Sequence, residues 1–176
     1  MSIDYFDKLE RSTCLRINAL SRWKMIRSLF GAVSRLGDYP AYVVVGLICV
    51  FYPGVNGPVL AIHAALTGLV GLVVYKLLKT RLVRERPFVR FGEIVCGAAP
   101  LDRYSFPSGH TLHAVSFAIV YSSHVPQMLW VLAPFAALVA MSRVILGLHY
   151  PTDVIIGAAI GATLGLASLE ISPLLV

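Results

Sequence analysis

Polar and apolar positions fall into blocks along this chain, and the blocks predict helices throughout. From residue 2 to 36 the two kinds alternate at helical spacing. Tyr5, Phe6 and Leu9 share one face opposite Asp4, Lys8 and Arg11. Further on, Leu15, Ala19, Trp23, Ile26, Phe30 and Val33 recur as a stripe. Arg16, Lys24, Arg27 and Arg35 lie largely off it, and Arg22 interrupts it. This predicts an amphipathic helix, broken near Ser12–Thr13. Two placements fit: the apolar side lies at the acyl boundary of a membrane interface, or it packs on the rest of the protein. A full crossing would put Arg16, Arg22, Lys24 and Arg27 in hydrocarbon, at about 3 kcal/mol each.

Five long apolar blocks follow: Tyr39–Tyr52, Val59–Leu78, Gly109–Ser123, Pro126 to about Leu148, and Pro151 to about Leu169. The first is the shortest. At about 1.5 Å per residue it covers about 20 Å of a roughly 30 Å hydrocarbon core, so it needs its flanks or a thinned bilayer. Pro53–Pro58 has turn chemistry, and residues 79–107 form a polar, basic connection. Pro151 suits the first turn of the last helix. That helix carries Gly157, Gly161 and Gly165 on one face, a spacing that lets helix backbones approach closely, either inside the chain or across a homodimer seam. The expected fold is therefore all-α. It is an integral membrane bundle of about five to six transmembrane helices (residues 39–176) behind an interfacial N-terminal segment (residues 1–38).

Composition agrees. The chain of 176 residues is 57% hydrophobic and 14% charged, against about 25% charged in a typical soluble domain. Its net charge of +6 raises the question of nucleic acid. The cations sit beside apolar blocks, however, which points to lipid headgroups or phosphate instead. Cys14, Cys49 and Cys96 are odd in number and widely spaced, so they read as free thiols. The first 30 residues lack the continuous apolar core of a cleavable signal.

Chemistry concentrates at the block ends, in three clusters: Lys79 to Arg86-Pro87, Pro107-Ser108-Gly109-His110, and Ser142-Arg143 through His149 to Asp153. The alternation of spans brings all three to one side of the membrane. Lys79, Arg86 and Arg143 can neutralise a phosphate and the charge that spreads over its oxygens in the transition state. Arg81, Arg84 and Arg90 read instead as cations snorkelling at the interface. Ser108 is a good N-cap, and the free N–H groups of the helix start it opens suit an anion, with Gly109 allowing close approach. His110, in that first turn, can protonate a leaving oxygen. His149 and Asp153 lie four apart, so the carboxylate can orient the ring for attack on phosphorus.

A metal site is the competing reading, but hard-metal phosphatase sites want several carboxylates. Apart from Glu85 between Lys79 and Arg86, Asp153 is the sole carboxylate in these clusters, and three cations would repel a divalent ion. His113 reads as a second-shell partner of His110 or a buried packing residue, His63 as a helix-packing hydrogen-bonder, and His124 as inert at the far face. Asp102 and Arg103 read as a solvated loop within reach of a headgroup.

These clusters resemble the type 2 phosphatidic acid phosphatase (PAP2) superfamily, whose signature is KxxxxxxRP, PSGH and SRxxxxxHxxxD. Lys79 through Pro87, Pro107 through His110, and Ser142 through Asp153 match it throughout. The resemblance implies that His149 is the nucleophile of a phosphohistidine intermediate, Asp153 its orienting carboxylate and His110 the general acid. It further implies that Lys79, Arg86, Ser108, Gly109 and Arg143 hold the phosphate, and that hydrolysis needs no metal or other cofactor.

The expected activity is hydrolysis of a lipid phosphomonoester or diphosphate of the polyprenyl diphosphate, phosphatidylglycerophosphate or phosphatidic acid type. The partners are the phosphorylated lipid and the surrounding membrane lipids, not nucleic acid. A non-catalytic lipid-binding or transport protein on the same scaffold, and a vanadate-dependent haloperoxidase, are the alternatives. The expected location is the cell (inner) membrane. All 15 Lys and Arg lie in the N-terminal segment or on the catalytic side, so the positive-inside rule places that side in the cytoplasm.

Overall fold

The computed structural model describes residues 3–171, and among these every regular element is helical. Helix α1 (Ile3–Asn18) runs straight through Ser12–Thr13, where a break was expected. The Thr13 hydroxyl donates to the Leu9 carbonyl one turn back (2.8 Å), which satisfies it inside the helix. The break falls instead at a 3₁₀ turn, Ala19–Arg22, followed by extended Trp23. Asn18 sets it there. Its buried amide bonds the Val95 and Ile145 carbonyls (both 2.9 Å) and the Val95 N–H (2.8 Å), pinning the end of α1 against the rest of the chain.

Helix α2 (Lys24–Leu36) follows, then α3 (Pro40–Val50), bent by 52° from α2 across Gly37–Tyr39. The expected stripe splits between two environments. Phe30 and Val33 are buried against the bundle, whereas Trp23 is exposed. The outer face of α2 carries a second apolar row, Met25, Leu29 and Leu36, which is exposed. The stripe thus packs on the protein at Phe30 and Val33, as one of the two placements expects, and leaves the row of Met25, Leu29 and Leu36 exposed.

Helix α4 (Gly57–Arg81) is capped by Asn56 and ends at the basic connection, which contains a single turn, α5 (Pro87–Arg90). Helix α6 (Gly109–His124) is the hub of the bundle. Ala114, Phe117, Ala118, Val120 and Tyr121 are buried among Tyr42, Leu60, Ala64, Leu132 and Val139 of the helices around it. Helix α7 (Leu129–Ile145) stops short of the expected Leu148. Gly147 takes a left-handed φ of 72° there, and residues 146–150 form a connection rather than more helix. Helix α8 (Pro151–Ile171) completes the described chain.

The glycine face of α8 packs on α6 within the same chain. A methyl group at Gly157 would lie 2.6 Å from the Ser108 carbonyl oxygen, and those at Gly161 and Gly165 would press on Leu112 and Ile119. α4, the Pro126–Ile145 stretch and α8 are long and apolar enough to cross a membrane, and the bent α2–α3 pair makes a fourth if taken as one span. At 11 and 16 residues, α3 and α6 fall short of the usual spanning length of about 20. Val43, Leu47, Ile62, Leu69, Val73, Trp130, Leu138 and Leu166 form an exposed apolar sheath that suits acyl chains better than water.

Candidate active site

The end of α4, the start of α6, the end of α7 and the start of α8 meet at one end of the bundle, because successive helices run in opposite directions. A cleft of about 40 Å³ opens there, lined by Lys79, Arg86, Gly109, His110, Arg143 and His149, with Asp38, Tyr39, Tyr75 and Asp102 at its edges. A water-sized probe needs about 10–15 Å³, so the cleft accepts a phosphoryl group and not an acyl chain.

His149 stands on the α7–α8 connection at the cleft floor and is 2% exposed. Arg86 Nη1 lies 3.3 Å from its Nε2. Arginine only donates, so Nε2 is the unprotonated nitrogen, its lone pair accepting from Arg86 at the cleft wall. The proton then sits on Nδ1, 3.6 Å from Asp153 Oδ2. Burial, then the charges of Arg143, Arg86 and Lys79, push the imidazole pKa well below 6.5, so the ring stays neutral.

Asp153 lies beneath the cleft, fully enclosed. Its Oδ2 accepts from the Tyr150 N–H (2.9 Å), and its Oδ1 accepts from Arg84 Nη1 (2.6 Å). Arg84 is therefore not the snorkelling cation expected of it. Its guanidinium also bonds Thr152 Oγ1 (2.8 Å), pairs with Glu10 of α1, and stacks 3.8 Å over the Tyr150 ring. Burial would lower its pKa, and the two carboxylates more than reverse that, leaving it raised. Arg81 and Arg90 remain exposed, Arg90 paired with Asp7 (2.7 Å).

Lys79 and Arg86 are buried and share Asp102, at 2.6 and 2.8 Å from its Oδ1. Asp102 thus belongs to the cation cluster rather than to a solvated loop. Burial would raise its pKa, but bonding to Lys79 and Arg86 holds it below the usual carboxylate range. Arg86 also anchors the α7–α8 connection through the Leu148 carbonyl (2.8 Å). Arg143 is buried at the opposite wall, with Nη1 on the Ser34 hydroxyl and Nε without a protein partner among the described residues.

Ser108 does not line the cleft. Its hydroxyl is fully buried, 2.9 Å from Thr111 Oγ1, and accepts from the Thr111 N–H (3.4 Å) as the cap of α6. Gly109 and His110 do face the cleft, and His110 Nε2 contacts Asp38 Oδ1. Asp38 was not singled out from sequence. It lies just before Tyr39, whose φ of 152° is strained for a residue with a side chain and turns the chain from α2 into α3.

The remaining histidines pack. His113 spans from Gly109 O (2.9 Å) to Gly68 O (3.1 Å), tying α6 to α4. His63 meets His124 (3.3 Å) and Ser168 (3.0 Å) at the far end, so His124 is a packing partner rather than inert.

The model of the PAP2 superfamily matches residues 59–175. Among curated proteins, the chain is 32% identical over 114 residues to undecaprenyl-diphosphatase BcrC of Bacillus subtilis, covering 65% of this chain and 58% of that one. It is 26% identical over 175 residues to the lipid A 4'-phosphatase of Porphyromonas gingivalis, covering 93% and 72%. An undecaprenyl-diphosphatase of Sulfolobus acidocaldarius is 29% identical over 113 residues, which cover 55% of its length, so the chain spans little more than half the length of these two curated relatives. Among solved structures, Aquifex aeolicus LpxE superimposes with a TM-score of 0.77 at 27% identity, covering 90% of this chain and 93% of that one. The transmembrane PAP2-type phosphatidylglycerolphosphate phosphatase of Bacillus subtilis, at 24% identity and a TM-score of 0.63, shares the fold. With the three clusters gathered in one cleft of an all-helical membrane bundle and the family model matched over most of its length, this chain belongs to the PAP2 superfamily.

Proposed function

We propose that the protein is an integral membrane lipid phosphatase that removes the terminal phosphate of a lipid phosphomonoester or diphosphate through a phosphohistidine, without metal. The observation that carries this is His149 Nε2, kept unprotonated in a small cleft walled by Lys79, Arg86, Arg143 and His110. The phosphate sits between those three cations and the first N–H groups of α6, presented by the Ser108 cap and bare Gly109. Nε2 attacks phosphorus, and the bond to the leaving oxygen breaks as His110 delivers its proton there. Asp153, held by Arg84, stabilises the positive charge that grows on the His149 ring. His110 then takes a proton from the water that hydrolyses the phosphohistidine.

An apolar groove of about 490 Å³ between α3, α4 and α6 meets the cleft at Tyr39 and offers a path for a lipid chain. Polyprenyl diphosphate, phosphatidylglycerophosphate and phosphatidic acid are the substrate types that fit. We place the protein in the cell (inner) membrane, with residues 1–38 at the interface. α1 docks at the catalytic end through Glu10 and Asn18, so the N-terminal cations and the site share a side, which the positive-inside rule assigns to the cytoplasm.

The test is a rapid quench with lipid labelled in its terminal phosphate. An acid-labile, base-stable phosphoryl group should appear on the protein and be missing from His149→Ala. Turnover without any labelled protein would refute the covalent route.

A further inference from the structure

A second cavity, of about 590 Å³, lies between α2 and residues 97–101. It meets the phosphate cleft at Asp38, Leu101, His110 and Arg143, while Lys79, Arg86 and His149 stay outside it. Its mouth is therefore at the residue that protonates the leaving oxygen. The leaving oxygen of the proposed reaction thus lies beside this opening, while the lipid chain runs into the groove at Tyr39.

The wall of that cavity is basic. Lys24, Arg27 and Arg35 project into it from one face of α2, with Arg143 at the shared edge. Its one carboxylate, Asp38, is engaged by His110. Three cations at this end are paired, Arg11 with Glu93, Arg90 with Asp7 and Arg84 with Glu10, while Lys8, Arg16, Arg22 and Arg81 are solvent-facing and do not line this cavity. Lys24 and Arg27 have no hydrogen-bond or ion-pair partner among the described residues, and Arg35 reaches only the Gly31 carbonyl, at 3.4 Å. The opposite face of α2 exposes Met25, Leu29 and Leu36, so the helix can rest on acyl chains while its cations point into the cavity at headgroup depth. This segment precedes residues 59–175, so the family match does not account for it.

We propose that this cavity binds an anionic group carried by the leaving half of the substrate. Resting on the phosphatase reading above, it narrows the substrate to lipids whose leaving group keeps a phosphate of its own: diphosphates, or headgroups with a phosphodiester behind the terminal phosphate. The Nε2–P bond forms as the P–O bond to the leaving oxygen breaks. That oxygen takes the His110 proton, and the departing lipid retains its second phosphate against Lys24 and Arg27. A leaving group that is a neutral diacylglycerol makes no use of these cations.

The test compares phosphatidylglycerophosphate with phosphatidic acid of the same acyl chains, in neutral detergent micelles, as a ratio of kcat/KM. The unmodified protein should favour the former. Lys24→Gln with Arg27→Gln should lower the ratio about tenfold, the worth of a lost charge-assisted contact. Arg16→Gln with Arg22→Gln, which removes the same charge outside the cavity, should leave the ratio unchanged. A ratio that survives loss of Lys24 and Arg27, or falls equally in the control pair, overturns the inference while the phosphatase reading stands. Release of phosphate from neither lipid, nor from a polyprenyl diphosphate, would overturn both.

Discussion

At the scale of single residues, the cleft is organised by pairs that place a charge beside each catalytic group. Arg84 ties Asp153 to Glu10, and in the proposed mechanism Asp153, 3.6 Å from Nδ1, orients the ring of His149. Arg84→Ala should lower kcat about 10- to 100-fold with little change in KM, since a hydrogen bond to a charged group is worth about 1.5–3 kcal/mol. Arg84→Lys should recover part of that loss. Unchanged turnover in Arg84→Ala would mean Asp153 needs no anchor. Asp102 occupies the donors of Lys79 and Arg86 that a phosphate would use. Asp102→Asn should therefore strengthen competitive inhibition by inorganic phosphate; weaker inhibition would mean the carboxylate organises the cations instead. The nucleophile adds a pH prediction. In the proposed mechanism His149 acts in its neutral form, and its pKa lies well below 6.5, so protonation removes activity only below that pH. The acid limb of kcat/KM attributable to this group should lie under pH 6.5, and a limb above it would contradict the neutral ring.

At the scale of elements, the placing of the proposed catalytic groups follows from how closely α8 approaches α6. Gly157 lets the backbone of α8 come against the Ser108 carbonyl, and the Ser108 N–H bonds the Asp153 carbonyl (3.1 Å). Gly157→Ala should lower thermal stability by about 1–3 kcal/mol, the usual cost of overpacking, and reduce turnover with it. Intact stability and activity would show that the helices have room to spare. Sequence made much of this arrangement readable. Motif spacing and span alternation gave the convergence of Lys79, His110, Arg143 and His149, and the glycine face pointed to close helix packing. What it did not reveal are contacts between segments far apart in the chain. Glu10 meets Arg84 across 74 positions and Arg143 reaches Ser34 across 109, and no local period records either. The misplaced break in α1 has a similar origin. Ser12–Thr13 looks like a helix interruption locally, while the true end is set by Asn18 bonding residues 95 and 145.

At the scale of the whole molecule, the basic N-terminal helices and the catalytic cleft sit at one end of an apolar bundle. Cys96 is the exposed cysteine of the three, on the connection at that end, whereas Cys14 and Cys49 are buried. A membrane-impermeant thiol reagent should therefore label inverted vesicles and spare intact cells if that end faces the cytoplasm. Labelling of intact cells would place it outside. The central claim is metal-free hydrolysis by His149, and phosphate release from purified protein in detergent with EDTA, over a panel of the three lipid types, tests it most directly. Release that persists in EDTA and disappears in His149→Ala is the predicted result. Release that requires added metal, or that survives the substitution, would contradict the account.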